Sequence, residues 1–553
     1  MSSNTYDIAI IGGGTSGLVL ANRLSEDPNL QAIVLESGED RSSEPNTLTP
    51  ADWTFHTIPQ NNLGRQITVP QGKALGGSSA INSFLFTSTS KANLEAWKSL
   101  GNEGWEYHVF EEALKKSFTL HKPLSVTEGK GPLQLTLAAP EGLWEKAWLD
   151  GLESVGFARS DPLSGHFGGP IIAPESIDPK TKQRSYASNA YLDPIRSRPN
   201  LTIRTETTVT KVLLEKPSQG ADAIAKGVQF VSKDGTSQTI GVRKEVILSA
   251  GVINSPRLLE LSGIGDSDLL QRLRIIVIID NPHVGENLQN HLFTGLVFEV
   301  RDGVDTIDAF FRQEPDAVAA AMQDYGTKGA GPLSTSNIVT MAQLPLPEFH
   351  SQNGRKEIDQ LLSAQKPASP PTTSAFAVAH EAFVRTTLTT PSEAVGNYLS
   401  HPLSRGSVHI TSAAPENTNT NTNEGLSIDA RYLSHPFDLE VLARQVRFME
   451  DTITRAEPLT RYLKPYTKRF TDLEVAKDYV RRTADGAYHY TGTCSMMPRA
   501  MGGVVDNKLR VHGCANLRVC DASIIPIEPT ANPQAVIYAI AELGAGFIKE
   551  GTL

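Results

Sequence analysis

Tyr6-Asp7-Ile8-Ala9-Ile10-Ile11-Gly12-Gly13-Gly14-Thr15-Ser16-Gly17 is the stretch that decides the fold. An apolar run of strand character ends in a glycine turn. Residues 18–24 then carry the spacing of a helix with one apolar face. Residues 32–36, Ala-Ile-Val-Leu-Glu, read as a second strand. Two strands joined through a helix form a β-α-β unit, whose parallel sheet is covered on both faces. In that setting Gly12-x-Gly14-x-x-Gly17 has a mechanism. Gly12 permits the tight turn, Gly14 lets the backbone approach a pyrophosphate, and Gly17 lets helix and strand pack closely. The helix N-terminus offers N–H groups and partial positive charge to phosphate. Glu36 ends the second strand, 19 residues after Gly17, where an acid meets a ribose hydroxyl. The reading is a dinucleotide site, and these residues alone do not separate FAD from NAD.

Outward from this unit, residues 62–90 are glycine-rich and irregular. Residues 107–117 and 141–155 read as helices, the second with Trp144 and Trp148 at core spacing. Residues 200–214 and 226–232 alternate like antiparallel strands. Residues 245–249 read as a buried strand leading into a turn and a helix around Arg257–Leu261. The region 292–470 carries weaker signals. Within it, residues 364–376 are rich in Ala, Ser, Pro and Thr, and Asn417 to Asn423 alternates Asn with Thr, as exposed loops do. There is no internal repeat.

Bulk properties exclude several classes. The chain has 553 residues, enough for roughly two to four domains. It is 39% hydrophobic and 20% charged, which supports a packed core. A net charge of −10 argues against nucleic-acid binding, which needs clustered Lys and Arg. No stretch approaches the roughly 18 apolar residues of a membrane span. The N-terminal apolar run lacks a basic leader, so a cytoplasmic protein is expected and the Asn200-Leu201-Thr202 sequon is expected to stay idle. Gly551-Thr552-Leu553 does not fit the peroxisomal address. The three cysteines, Cys494, Cys514 and Cys520, form no CxxC pair and fit a reducing compartment. No bound metal is expected.

Several further segments speak together. They are Pro70-Gln71-Gly72-Lys73-Ala74-Leu75-Gly76-Gly77-Ser78-Ser79-Ala80-Ile81-Asn82, then Gly251-Val252-Ile253-Asn254-Ser255-Pro256-Arg257 continuing to Gly265, then Val284-Gly285-Glu286-Asn287-Leu288-Gln289-Asn290-His291, and Pro402-Leu403-Ser404-Arg405-Gly406. In kind and order they resemble the signatures of the glucose-methanol-choline (GMC) oxidoreductases, across nearly the whole chain. The resemblance implies an α/β protein (α+β overall), with a Rossmann-like FAD-binding domain and an interleaved substrate domain on an antiparallel β-sheet. The expected division is 1–155, 201–291 and 476–553 for the FAD side, and 156–200 and 292–475 for the substrate side.

Residue by residue, the resemblance puts Thr15 and Ser16 at the pyrophosphate turn and Glu36 at the adenosine ribose. Gly76 and Ser78 belong to the first signature, and Asn82, Ser83, Phe84 and Leu85 are implied beside the isoalloxazine ring. It puts Val209 at the adenine, Asp521 and Ala522 at the phosphate and ribityl chain, and Pro533 and Gln534 at the pyrimidine end. Where some members carry a histidine bonded covalently to the flavin, this chain has Ile81, so non-covalent FAD is expected. Many members continue after the asparagine with an aromatic-x-Arg-Gly stretch. Here the chain reads Ser83-Phe84-Leu85-Phe86-Thr87-Ser88, a departure that bears on contacts near the ring.

Flavin-linked alcohol oxidation removes a hydroxyl proton and a carbinol hydride. A neutral imidazole suits the first task. His489, in His-Tyr-Thr-Gly-Thr-Cys, matches the family's histidine and is expected to be the base. The second position is Asn532, which can donate an N–H to the substrate oxygen but cannot carry a proton away. Asn532-Pro533 also reads as an N-cap followed by Pro at the first position of the last helix. The chain resembles the fungal intracellular members of the family associated with secondary metabolism, and that resemblance implies a small alcohol of aromatic or polyketide-like type, with oxygen or an external acceptor as reoxidant. The alternative is a non-redox lyase or cyclase on the same scaffold. His291 is expected to be a structural hydrogen-bonder, His56 a surface residue, His512 part of a solvent-facing turn, and Cys494 a buried small side chain.

Overall fold

The structure, a computed structural model, describes residues 5–43, 51–121, 128–137, 142–218, 220–338, 340–363, 374–393, 399–413 and 423–552. Most of the Asn/Thr alternation and of the Ala/Ser/Pro/Thr stretch lie outside these residues.

The strand read from Tyr6 forms as β1 (Thr5–Ile11), followed by α1 (Thr15–Leu24) and β2 (Ala32–Leu35). β1 and β2 pair in parallel, with Ile8 opposite Ala32. Ile8, Ala9 and Ile10 and the facing Ala32, Ile33 and Val34 are wholly buried, as a parallel sheet covered on both faces requires. Each fully buried Ile contributes roughly 1.5–3 kcal/mol of hydrophobic stabilisation.

The same sheet takes in β3 (Leu201–Arg204), β4 (Thr207–Glu215), β5 (Ile224–Ser232) and β6 (Ser237–Leu248), in the order β4-β5-β6-β1-β2-β3. The expectation of one antiparallel run over 200–214 is corrected here. β3 lies parallel to β2, and the chain turns at Glu206, with φ +52°, before β4 begins its antiparallel pairing with β5. A short amphipathic strand takes its partner from whichever edge is open, and the open edge beside β2 accepts β3. β7 (Leu517–Val519) adds in parallel to the distal half of β6, bringing the C-terminal segment into the N-terminal sheet.

α2 (Gly251–Leu261) begins six residues before the predicted Arg257, and it contains Pro256. Proline has no N–H for the carbonyl four residues back, which is that of Val252. The Thr493 hydroxyl donates to that carbonyl instead, at 2.6 Å. A residue of the His489 motif therefore repairs the helix that borders the nucleotide turn. The last helix, α3 (Gln534–Thr552), packs on α1.

Outside this body the pairings are short; Phe118–His121 runs parallel to Leu133–Leu137 and Ile264–Gly265 parallel to Ile279–Asp280, while the others named here are antiparallel. Gly169–Ile172 pairs with Thr340–Gln343, and Gly406–Ile410 pairs with both Glu286–Leu288 and Leu426–Asp429. Helices Pro315–Lys328, Gln352–Ser363, Ser374–Thr389 and Pro436–Asp451 fill the region of weak sequence signal. Tyr191 stacks on Tyr538, so part of the 156–200 segment packs against α3. Asn200 is buried and donates to the carbonyls of Ser25, Asp27 and Leu30, which leaves its amide no room for a glycan. Among the described residues no helix is long and apolar enough to cross a membrane, and no cluster of His, Cys, Asp or Glu could hold a metal. The three cysteines are buried free thiols.

Candidate active site

A cavity of about 750 Å³ is lined at one end by the glycine turn and at the other by His489 and Asn532. Its size falls within the range of small-molecule and cofactor sites. Gly12 has φ +105°, and a Cβ there would meet the Ser249 carbonyl oxygen at 2.4 Å. A Cβ on Gly17 would meet the Gly12 oxygen at 1.9 Å, so this glycine sets the packing of α1 on β1. Gly14 faces the cavity as a cradle, and a Cβ there would only touch Gly77 at 3.7 Å. No side chain caps α1, and the buried Ser16 hydroxyl on this wall has no hydrogen-bond partner. A helix N-terminus and an unsatisfied hydroxyl at one spot fit a phosphate acceptor.

Glu36 also lines the cavity and accepts from the Gly13 and Gly38 amides, each at 2.7 Å. Burial pushes its carboxyl up to about 7, against the pull of those amides. Each oxygen keeps a lone pair for a ribose hydroxyl. Across from it, Val209 lies where the β4–β5 ladder slips register, and the neighbouring Thr208 hydroxyl is buried without a partner. The Asp521 carboxylate is spent on the protein. It accepts from the Gly251 amide and the Ser255 and Ser523 hydroxyls, tying down the start of α2, so Asp521 and Ala522 border the cavity as a rigid turn.

In the middle, Ser78, Asn82, Ser83, Leu85, Pro533 and Gln534 form the wall. The Asn82 amide donates to the Gln534 side chain, while its oxygen accepts from Arg184 Nη1 at 2.8 Å and from the Phe84 amide at 3.1 Å. Three predicted residues stand off the cavity wall. Gly17 packs against the Gly12 backbone, Gly76 lies against the Tyr186 ring and donates its amide to the Gly13 carbonyl at 2.8 Å, and Phe84, at φ +66°, turns its ring under the Arg184 guanidinium, 3.8 Å away. The donor set of the wall, from uncapped helix to amide side chains, fits the nucleotide cofactor the sequence calls for.

At the far end, Asn532 Nδ2 lies 3.0 Å from His489 Nε2. α3 starts at Gln534, and the Pro533 carbonyl accepts the first helical bond from Ile537. The expected N-cap at Asn532 is therefore displaced by one residue, because Pro533 takes the boundary position. The Asn532 amide is thereby turned to the imidazole. The His489 amide donates to Asn290 Oδ1 at 2.8 Å, and reciprocal bonds between Gln289 and Thr491 fasten the two segments together. Tyr488 precedes His489 in the left-handed region, with φ +64°, a strained conformation for an aromatic residue. Burial, and secondarily His291, push the His489 pKa well below its ordinary value, so the ring is neutral at neutral pH.

His291, expected to be a structural hydrogen-bonder, makes its bonds at this site. Its Nδ1 lies 2.8 Å from His489 Nδ1, the two rings meet edge to face, and its Nε2 donates to the Pro529 carbonyl at 2.8 Å. Burial pushes its pKa down to about 4. Its place directly after Asn290 in a family segment was the available signal, but nothing in the sequence tied it to residue 489. Arg184 was missed, since no motif quoted above contains it. His56 is exposed as expected. His512 is half-buried in its turn, with Nε2 on the Met497 carbonyl at 2.9 Å, a correction to the solvent-facing assignment. Cys494 is buried, and burial raises its thiol.

Comparison with known proteins gives the family and the fold. Models of the GMC oxidoreductase N-terminal and C-terminal regions match residues 6–293 and 402–541. GMC oxidoreductase family protein Mala s 12 of Malassezia sympodialis is 32% identical over 99% of this chain and 93% of its own. Dehydrogenase mpl7 of Monascus purpureus is 31% identical over 99% and 96%. The solved structure of an FAD-dependent oxidoreductase from Chaetomium thermophilum superposes with a TM-score of 0.89 at 28% identity, covering 99% of both chains. The chain belongs to the GMC oxidoreductase family, and it is an FAD-dependent oxidoreductase.

Proposed function

We propose that the protein oxidises an alcohol CH–OH group to a carbonyl, with His489 as the proton acceptor. The observation that carries this reading is the His489–Asn532 pair, 3.0 Å apart, on the wall of the cavity that starts at the glycine turn. When bound, FAD would supply the acceptor for the hydride leaving the carbinol carbon, with oxygen or an external acceptor as reoxidant. His489 Nε2 takes the hydroxyl proton while the O–H electron pair becomes the second bond of C=O. Asn532 donates an N–H to the oxygen as charge builds there, and it holds the hydroxyl in line.

The cofactor is held without a covalent bond, since Ile81 offers no nucleophile. Thr15, Ser16 and Gly14 take the pyrophosphate, Glu36 and Val209 the adenosine, and Asp521 with Ala522 the ribityl side. Asn82, Ser83, Leu85, Pro533 and Gln534 border the ring, with Gly12, Gly17, Gly76, Ser78 and Phe84 shaping the wall behind. The FAD side comprises 1–155, 201–291 and 476–553, and the substrate side 156–200 and 292–475, with the stretch around Tyr191 docked on α3.

The substrate class is a neutral alcohol of aromatic or polyketide-like shape. Phe293, Ile338, Met341 and Tyr488 line the cavity. Its charged lining residues Glu36, Arg257 and Asp521 come from the residue after β2, from α2 and from the turn after β7, so among the described residues the substrate end carries none. The test is anaerobic mixing of FAD-loaded protein with alcohols graded by size, charge and aromaticity. Bleaching of the flavin band by neutral aromatic alcohols is the expected result. Product formed without bleaching would instead assign a lyase or cyclase.

A further inference from the structure

We infer that His291 is a positioning residue, whose bare Nδ1 accepts the Nδ1 proton of His489 and thereby keeps the His489 lone pair on Nε2, facing the substrate. This inference rests on His489 being the base, and it names what makes that ring a base at the right atom.

The assignment follows from the hydrogen-bond partners. A carbonyl oxygen brings no proton, so the 2.8 Å contact between His291 Nε2 and the Pro529 oxygen puts a proton on Nε2. His291 is wholly buried and, with its pKa lowered to about 4, carries a single ring proton at neutral pH. Its Nδ1 is therefore bare. The two Nδ1 atoms, 2.8 Å apart, need one proton between them, and only His489 can supply it. His489 is also neutral, so its Nε2 is bare, and Asn532 Nδ2 stands 3.0 Å away as a donor to that lone pair. With these partners the chain of donors and acceptors runs from Asn532 through His489 and His291 to the Pro529 carbonyl. Reversing it would set the His291 Nε2 lone pair against the Pro529 lone pairs, and the His489 Nε2 proton against the Asn532 amide protons.

Other contacts keep both rings in place. The His291 amide donates to Glu528 Oε1 at 3.2 Å, the His489 amide is held by Asn290, and the Gln289–Thr491 bonds lock the two strands between them. A catalytic imidazole with an unfixed tautomer would spend part of its time with a proton already on Nε2, unable to accept another. Loss of the group that fixes a tautomer can cost orders of magnitude in rate. The established carboxylate role in such devices is here taken by a second, neutral histidine anchored on a backbone carbonyl.

Two measurements test this. The first is the 15N imidazole spectrum of FAD-loaded, substrate-free protein at neutral pH, with the His489 signals identified by their loss in His489→Ala. The expected pattern is a protonated Nδ1 and a bare Nε2, and a protonated Nε2 would overturn the proposal. This readout involves no turnover. If it is met while no alcohol bleaches the flavin, the oxidation reading fails and the tautomer assignment stands.

The second measurement compares His291→Asn with His291→Gln. Asparagine places an amide oxygen near the former Nδ1 and keeps the acceptor for His489. Glutamine reaches toward the Pro529 carbonyl and removes it. Flavin reduction is expected to fall by about 100-fold in His291→Gln, with FAD retained, and to recover most of that loss in His291→Asn. Equal losses in both variants, or recovery in His291→Gln alone, would make His291 only a packing residue and overturn the proposal.

Discussion

In the proposed reaction Asn532 and His489 divide the work of one proton, and a single contact joins them. The amide can give a hydrogen bond to an oxygen or to Nε2, but it can accept no proton at working pH, so the imidazole alone titrates. Burial and His291 hold the His489 pKa low. Flavin reduction in the wild type is therefore expected to be level through neutral pH and to fall only in acid, where the ring takes a proton. Asn532→Asp reverses this. A carboxylate beside Nε2 favours the imidazolium and raises its pKa. That variant should be slow at neutral pH and gain rate as pH rises, while Asn532→Ala should be slower by about 10-fold or more at every pH. Rapid-mixing reduction rates from pH 5 to 9 separate the cases, and an Asn532→Asp profile lying over the wild type would count against the base assignment. At this scale the sequence was informative for residues inside long motifs. His489, Asn532, Glu36 and Ser16 all reach the cavity wall. His291 is a buried hydrogen-bonder as expected, but the ring it meets lies 198 residues away, which no local spacing encodes.

Among the elements, α2 shows how the two ends of the chain depend on each other. Pro256 would leave the Val252 carbonyl without its helical donor, and the buried Thr493 hydroxyl fills that place at 2.6 Å. Asp521 fastens the same helix at its start. Thr493→Val keeps the shape and removes the donor, so a buried carbonyl is left unsatisfied at a cost of about 1–3 kcal/mol. Thermal unfolding of the FAD-loaded protein should register that loss, whereas Thr493→Ser should retain most of the stability. Equal stability of Thr493→Val and wild type would show that the bond does not support α2. The proline also explains a misreading. It made the sequence look helical only from Arg257, because the compensating hydroxyl comes from outside the segment. β1, α1 and β2 were legible because their burial on both faces leaves a continuous apolar record in the chain. β3 was not, since its pairing was settled by an open sheet edge.

For the whole molecule, the decisive feature is that the sheet gathers distant stretches. β6 lies between β1 and β7, so residues 5–11, 237–248 and 517–519 stand side by side. This brings the segments around 489 and 532 to the cavity that opens at Gly12–Gly14. Motif order made that architecture legible. The substrate end was not legible, because Phe293 and Ile338 fall outside the quoted motifs and Tyr488, beside His489, carries no sign of the cavity it lines. The proposed oxidation requires the His489 imidazole to take the alcohol proton in this cavity. The most direct measurement is single-turnover anaerobic reduction of wild-type and His489→Ala protein, both loaded with FAD, by an alcohol that bleaches the wild type. The expected result is full FAD content in both and reduction slower by about 100-fold or more in His489→Ala. Equal reduction rates in the two proteins would contradict it.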